Sequence, residues 1–254
     1  MKIRVLGCGP SSGVPGLGGS WGACDPRNKK NRRRRSSISV ETRNTRLLVD
    51  TPVDMREQCL DAGINTIDAV LYTHSHADHT HGIDDLRAFN CNAEGSLDIY
   101  CSPKTLADIT QRFGYAFAPV EGKGPWYRPS LTGHAITGPF EVGDIKIVPF
   151  KQVHGESMTL GYRFGSMAYS TDVNSLPETS VELLYGLDCW FVDCLGYHPN
   201  PSHAHLELTL QWIKRIKPKR TILIHMASEL DYETLRAELP DGVEPAYDGL
   251  EIID

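Results

Sequence analysis

The segment Thr73-His74-Ser75-His76-Ala77-Asp78-His79 decides how this chain of 254 residues is interpreted. Three histidines and one aspartate lie within six residues, and neutral imidazole and ionised carboxylate both bind divalent metals well. The apolar run Ala69-Val70-Leu71-Tyr72 precedes this segment and predicts a buried strand. We therefore expect a cluster of metal ligands at the point where a strand ends and a loop begins.

The spacing within the cluster predicts two cations rather than one. His74 and His76 are separated by one residue and can point the same way, whereas Asp78 and His79 follow in the turn and can reach a second position. Further ligands are expected where predicted strands end, and three residues qualify: His154, Asp172 and His225. Asp172 is the natural bridge, because a carboxylate has two oxygens and can bind two ions.

The ligands then divide into two sets that share one residue. One ion is expected to bind His74, His76, His154 and Asp172. The other is expected to bind Asp78, His79, His225 and Asp172. Each ion keeps an open position, which is typical of a catalytic site. Zinc, manganese and iron all accept such ligands, and we expect two divalent ions, zinc or manganese.

The composition indicates the cellular setting and excludes some partners. A net charge of -6 argues against broad binding to nucleic acid or to a membrane surface. The odd number of seven scattered cysteines suggests free thiols in a reducing cytosol. Neither a secretory signal nor an apolar run of membrane-spanning length is evident, so a cytoplasmic protein is expected.

The pattern of apolar and turn residues predicts two sheets faced by helices, an αββα sandwich of the α/β (α+β) class, in one domain over residues 1–254. A hairpin is expected around Arg43-Asn44, and Asp50-Thr51-Pro52 is expected to cap a helix that runs to about Ala62. A second helix is expected from Gly82 to Phe89. Residues 114–133 show no periodicity and are predicted to form a lid or substrate-contact loop.

Two further segments each allow two interpretations. The glycine-rich loop from Gly7 to Pro15 is either a strained turn at a sheet edge or a loop that shapes the site. The basic run of residues 29–35 is either a solvated face or a set of cations that hold an anionic substrate.

The segment Ser202-His203-Ala204-His205-Leu206-Glu207 offers a candidate proton donor. His203 lies before a predicted helix, and its imidazole has an intrinsic pKa near neutrality. Glu207 is close enough in sequence to orient an imidazole. The alternative for His203 is an exposed capping residue, which is the interpretation favoured for His205.

The pattern His-x-His-x-Asp-His, with the later His154, Asp172 and His225, resembles the metallo-β-lactamase superfamily over nearly the whole chain. More narrowly, Gly7 to Pro15, residues 24–35, His203 and the segment from Tyr247 to Ile252 are similar to the PhnP-like branch, which contains phosphoribosyl cyclic-phosphate phosphodiesterase. The resemblance implies the seven ligand roles given above and implies that His203 lies beside the leaving group. That branch also has a structural zinc with closely spaced cysteines, whereas here Cys24 stands alone and Ser228 replaces a histidine, so no third zinc is expected.

Together these observations predict a dinuclear metal-dependent hydrolase, with His203 and Asp78 as its catalytic side chains. The best-fitting reaction is hydrolysis of a small cyclic or nucleotide-like phosphodiester, attacked by a hydroxide that the two ions share. The alternatives are a thioesterase, a lactonase, a transfer-RNA-processing ribonuclease or a non-catalytic carrier or sensor. The expected partner is a small anionic phosphodiester, and a homodimer is possible.

Overall fold

The computed structural model of the chain describes residues 1–93, 95–118 and 128–254. Within these residues the strands form two seven-stranded sheets. The first sheet has the order β14-β1-β2-β3-β4-β5-β6 and contains β1 (Lys2–Gly7), β2 (Ser37–Glu41), β3 (Arg46–Val49), β4 (Ala69–Leu71), β5 (Leu97–Cys101), β6 (Leu131–Ala135) and β14 (Glu251–Ile253). Its strands from β3 to β6 run parallel, and the others pair antiparallel.

The second sheet repeats this mixed arrangement. It has the order β13-β12-β11-β10-β9-β8-β7 and contains β7 (Phe140–Val142), β8 (Ile145–His154), β9 (Ser157–Phe164), β10 (Met167–Ser170), β11 (Cys189–Asp193), β12 (Arg220–Ile224) and β13 (Val243–Pro245). Strands β10 to β13 run parallel and β7 to β10 antiparallel. In both sheets the parallel strands therefore present their carboxyl ends at one edge.

The core lies between the sheets, and a second apolar layer lies under the helices of the first sheet. Leu47 and Val49 join the core shared by both sheets, whereas Leu48 between them packs in the second layer. This alternation follows from the two-residue period of a strand. The helices of the described chain are α1 (Met55–Ala62), α2 (Ala77–Thr80), α3 (Arg87–Ala93), α4 (Pro103–Arg112), α5 (Gly114–Phe117), α6 (Glu178–Leu183), α7 (Leu206–Ile216) and α8 (Tyr232–Glu238).

This architecture confirms the predicted αββα sandwich, but two helix boundaries were predicted wrongly. Helix α1 begins at Met55, because the segment before it is bonded to His79 and to the turn after it: Thr51 donates its N–H to His79 O and accepts from Gly82 N. The helix expected from Gly82 to Phe89 is a 3-10 helix (Ile83–Leu86) followed by α3.

Within the predicted 114–133 loop, residues 119–127 lie outside the described residues. At its two ends the chain forms α5 and the start of β6 rather than irregular structure. No disulfide joins any of the seven cysteines. None of the helices in the described ranges combines the length and the apolar character needed to cross a membrane.

Candidate metal centre

The candidate site lies where the carboxyl ends of parallel strands from the two sheets meet. Residues 74–79 follow β4 in the first sheet, and His154 is the last residue of β8 in the second. Asp172 and His225 follow β10 and β12, which are parallel to β11 between them. Ligands commonly bind at this end of parallel strands, since the loops that leave neighbouring strands converge there.

The structure brings the predicted ligands together in the two predicted sets. One ligand atom from each member of a set lies within 4.8 Å of the others, both for His74, His76, His154 and Asp172 and for Asp78, His79, Asp172 and His225. Most of these side chains are buried, whereas His76 is exposed and marks the open face of the site.

Asp172 lies between the two sets with one carboxylate oxygen toward each. Its Oδ2 is 3.8 Å from Nε2 of His74 and 3.8 Å from Nε2 of His154, and its Oδ1 is 3.1 Å from Nε2 of His79 and 3.4 Å from Nε2 of His225. Ligand atoms bound tetrahedrally to one ion at 2.0–2.1 Å are about 3.4 Å apart. The spacing therefore fits a carboxylate that bridges two ions.

Three of the histidine rings are oriented through Nδ1, so that Nε2 faces the centre. Nδ1 of His74 lies 3.0 Å from Thr73 Oγ1, and that of His79 lies 2.8 Å from Asp50 Oδ2. His154 Nδ1 lies 2.6 Å from the carbonyl oxygen of Ser202. Hydrogen bonds of this kind fix the tautomer and the direction of metal-binding imidazoles.

The donor set fits a pair of bound cations. Nε2 of His74, His79 and His225 is buried, and none of them has a hydrogen-bond partner among the described residues. A buried polar atom without a partner is costly, and a metal ion accepts the lone pair of each nitrogen. The histidine and carboxylate ligands suit zinc or manganese, and metal binding itself stays a prediction.

Burial and neighbouring charge set the protonation of the cluster. Burial lowers the pKa of His74 and His225, which keeps both imidazoles neutral and able to bind a metal. Burial alone would raise the pKa of Asp172, but the imidazoles of His225 and His79 outweigh it and lower this pKa. Burial lowers the pKa of His79, but the carboxylates of Asp172 and Asp50 raise it more strongly.

His203 lies beside this cluster, as the sequence predicts. Its Nε2 is 4.0 Å from Asp172 Oδ2, and its ring stacks on that of His225 with centroids 4.6 Å apart. Its Nδ1 lies 2.9 Å from Asp193 Oδ2, and Asp193 is fully buried. Burial lowers the pKa of His203, but the bond to Asp193 and its charge raise it more.

Two carboxylates that orient these histidines, Asp193 and Asp50, were not predicted to do so from the sequence. Asp193, rather than the exposed Glu207, contacts His203. Asp50 is not a helix cap; it accepts hydrogen bonds from Thr73 and contacts His79. Both aspartates end or follow a buried strand, as Asp172 does, and that shared position was the available signal.

The basic run of residues 29–35 is divided: Lys29 and Arg32 are exposed, as a solvated face requires, whereas Arg33, Arg34 and Arg35 make structural contacts. Arg33 is 1% exposed and donates to backbone carbonyls. Arg34 forms ion pairs with Asp61 and Asp248, Arg35 pairs with Asp54, and Lys30 lies over the rings of Tyr232 and Tyr247. The glycine-rich loop packs on this run: a Cβ on Gly7 would lie 2.1 Å from the carbonyl oxygen of Arg35.

With this geometry established, comparison with known proteins identifies the relatives of the chain. Residues 45–226 match the family described as the beta-lactamase superfamily domain. An octanoyltransferase of Porphyromonas gingivalis (strain ATCC BAA-308 / W83) is 34% identical over 259 residues. That alignment covers 100% of this chain but only 51% of the relative, so the chain spans about half the length of that protein.

Among solved structures, one described as a new diphosphatase from the PhnP family is 35% identical, with a TM-score of 0.90 and coverage of 100% of this chain and 97% of that one. Zinc-bound PqqB from Methylobacterium extorquens has a TM-score of 0.77 at 19% identity, with 100% of both chains covered, and is similar in fold. Human tRNase Z, short form, has a TM-score of 0.69 at 15% identity, covering 100% of this chain and 99% of that one, and is likewise similar in fold.

Proposed function

Since the chain belongs to the beta-lactamase superfamily, and within it to the PhnP-like branch of metal-dependent hydrolases, we propose that it hydrolyses a small cyclic or nucleotide-like phosphodiester. The seven predicted ligands would hold two divalent ions, zinc or manganese. Asp172 would bridge them, with His74, His76 and His154 on one side and Asp78, His79 and His225 on the other. When bound, such ions offset negative charge on phosphoryl oxygens and acidify water.

One observation carries the choice of a phosphodiester: a histidine held by a buried carboxylate lies at the edge of the ligand cluster. Asp193 bonds His203 Nδ1 at 2.9 Å, which leaves His203 Nε2 directed toward Asp172. The departing alkoxide of a phosphodiester is a strong base and needs a proton as the bond breaks. We infer that His203 supplies that proton from Nε2.

Several backbone contacts of this chain keep the proton donor in place. Asn200 Oδ1 accepts from the N–H of Ser202 at 2.9 Å and from that of His203 at 3.1 Å. Asn174 Nδ2 donates to the carbonyl oxygen of Pro201 at 2.7 Å, and the carbonyl of Ser202 contacts His154. The loop that carries the proton donor is therefore tied to a proposed ligand, which limits movement of one relative to the other.

A second candidate reaction is hydrolysis of a diphosphate, because the PhnP-family relative at 35% identity is described as a diphosphatase. The two reactions differ in their demand for acid. Phosphate leaves a diphosphate without prior protonation, whereas an alkoxide does not. The proposed phosphodiesterase therefore depends on His203, and a diphosphatase would depend on it far less.

A substrate screen tests the proposal. The purified chain, loaded with zinc or with manganese, is incubated with bis-p-nitrophenyl phosphate, cyclic nucleotides, cyclic ribose phosphates, diphosphates, octanoyl thioesters and lactones. Turnover of the phosphodiesters is expected. Turnover confined to diphosphates would favour the second candidate, and turnover confined to thioesters or lactones would exclude both.

The substitution His203→Ala tests the acid role. Metal content should be unchanged, and turnover of alkyl phosphodiesters should fall by about 10²–10⁴-fold. Turnover of p-nitrophenyl esters should fall much less, because p-nitrophenolate leaves without a proton. His198→Ala, an exposed histidine five residues away, is the control. Equal losses for both substrate types would exclude His203 as the acid.

A further inference from the structure

Arg33 is among the largest fully buried side chains of the protein, at 1% exposure. No carboxylate of the described residues forms an ion pair with it, which is unusual for a buried guanidinium. Its two shortest hydrogen bonds go to the turn that follows His225: Nη1 donates to the carbonyl of Ala227 at 3.0 Å, and Nη2 to that of Leu230 at 2.6 Å. Longer contacts join Nη2 to Asn31 Oδ1 at 3.3 Å and Nη1 to Cys24 Sγ at 3.9 Å. The buried charge is thus held mainly by one short loop.

The same loop is held from other directions by the N-terminal region. The carbonyl of Cys8 accepts from Met226 N at 2.9 Å, and Ala23 N donates to the carbonyl of Ser228 at 2.8 Å. Cys24 Sγ also contacts the carbonyl of Leu230, at 3.5 Å. Arg33 lies at the centre of these contacts and makes the shortest of them. Its removal would leave buried carbonyl groups without donors.

His225 differs from the other buried histidines of the cluster in how its ring is held. Those of His74, His79 and His154 are oriented by a partner at Nδ1, whereas Nδ1 of His225 is buried and has no partner among the described residues. No hydrogen bond fixes the direction of the His225 ring, which therefore depends on its backbone and on stacking against His203. That backbone has a φ of 58°, a conformation that needs support from its surroundings.

We propose that Arg33 is the positioning residue for His225. It fixes residues 226–230 and thereby directs His225 Nε2 toward Asp78 and Asp172. The inference rests on the two-cation site of the proposed function but not on the substrate. It predicts an asymmetric effect: loss of the guanidinium weakens the cation site of Asp78, His79 and His225 and spares the site of His74, His76 and His154.

The test compares Arg33→Met and Arg33→Lys with Arg32→Met, in which the adjacent, exposed arginine is replaced. Cobalt(II) is titrated into the metal-free chains, and binding is followed by calorimetry and by the visible spectrum. For both Arg33 variants, one of two binding steps should weaken by about tenfold or more, with an altered spectrum for that step. Arg32→Met should bind each of the two ions with the same affinity as the wild type does.

Thermal unfolding of the metal-free variants separates positioning from general stability. If Arg33→Lys melts at a lower temperature but binds both ions like the wild type, Arg33 is only structural and the proposal is wrong. Equal weakening of both steps would also overturn it. If both Arg33 variants fail to fold, NMR of the wild type replaces them. The guanidinium resonances of Arg33, but not those of Arg32, should shift when the second ion binds. The absence of that shift would overturn the proposal. A wild type that binds fewer than two ions would instead contradict the proposed metal centre.

Discussion

At the scale of single residues, the site is built on strained backbone. The φ angle is 64° at Asp50, 52° at Asp172 and 58° at His225, and each residue lies just after a strand of the parallel region. A left-handed conformation costs a non-glycine residue roughly 1 kcal/mol or more. It turns the chain abruptly at the sheet edge, and the side chains of neighbouring strand ends converge there. The strain is thus part of how the cluster forms.

Asp50→Asn tests how strongly an orienting carboxylate supports the site. The single oxygen of the asparagine amide cannot accept from Thr73 N, Thr73 Oγ1 and His79 Nδ1 together. The His79 ring therefore loses its fixed tautomer. Affinity for the cation at His79 should fall by about 10–100-fold, as measured by competition with a chelator. Asp98→Asn is the matched control, because Asp98 also bonds a histidine, His134 at 2.8 Å, on the surface. Unchanged affinity in Asp50→Asn would rule out this role.

Asp248 should make the stability of the protein depend on pH. Burial raises its pKa from 3.8 to about 6, despite hydrogen bonds from Arg34 and Cys8. Because the folded state binds this proton more tightly, the stabilisation is complete below about pH 4 and is lost as pH rises through 6. The change corresponds to about 3 kcal/mol.

Denaturation of the metal-free protein between pH 4 and pH 7 measures this effect. Relative to Asp248→Asn, the wild type should lose about 2.4 kcal/mol of unfolding free energy across that range, because at pH 4 the unfolded state is already partly ionised. Comparison with the variant cancels the titration of groups that lie away from Asp248. A difference between the two proteins that does not change with pH would show that Asp248 stays ionised throughout.

At the scale of elements, β1 and the arginine-rich residues 33–35 pack closely only because position 7 is a glycine. Gly7 ends β1, and a Cβ there would lie 2.1 Å from the carbonyl oxygen of Arg35 and 2.8 Å from that of Arg34. Both are backbone atoms, so no side-chain rotation can relieve the overlap. This close approach places residues 33–35 against β1 and so brings Arg33 to the turn after β12.

Gly7→Ala should therefore destabilise the protein by at least about 2 kcal/mol, which corresponds to a fall in Tm of roughly 5 °C or more. The control is Gly114→Ala at the start of α5, where no described residue lies within 4 Å of an added Cβ. Alanine favours a helix by up to about 1 kcal/mol over glycine, so this control should be neutral or slightly stabilising. Equal Tm values for the two variants would contradict the close approach at Gly7.

At the scale of the whole molecule, the site joins the two halves of the sandwich. Residues 74–79 belong to the first sheet, and His154, Asp172 and His225 belong to the second. Bound cations would thus crosslink the sheets. A ligand that binds only the folded state stabilises it in proportion to the logarithm of its concentration over its Kd.

Removal of metal should lower stability accordingly. At a free ion concentration 1,000 times Kd, one site contributes about 4 kcal/mol, so chelation should lower Tm by roughly 10 °C. Differential scanning calorimetry with and without EDTA, followed by readdition of zinc or manganese, measures this. The variant Asp172→Asn, which lacks the proposed bridge, should show a much smaller shift. An equal shift in that variant would mean that the stabilising ion binds elsewhere.

The sandwich and the seven candidate ligands could be predicted from the sequence alone, because both depend on local information. Alternating apolar residues predict strands, and a histidine or aspartate directly after a strand is placed at the sheet edge by chain continuity alone. The segment of residues 74–79 and the later candidate ligands resemble the metallo-β-lactamase superfamily, and the family match confirms this resemblance.

The groups that hold these candidate ligands in place could not be predicted from the sequence, because they come from distant parts of the chain. Asp50 meets His79 across 29 positions of sequence, and Arg33 meets Leu230 across 197. No periodicity links residues so far apart; their pairing follows from strand order and from the close approach that glycine permits at Gly7. For this reason the whole basic run was predicted to face solvent or substrate. In the structure Arg33 is instead buried and donates a hydrogen bond to the carbonyl of Leu230.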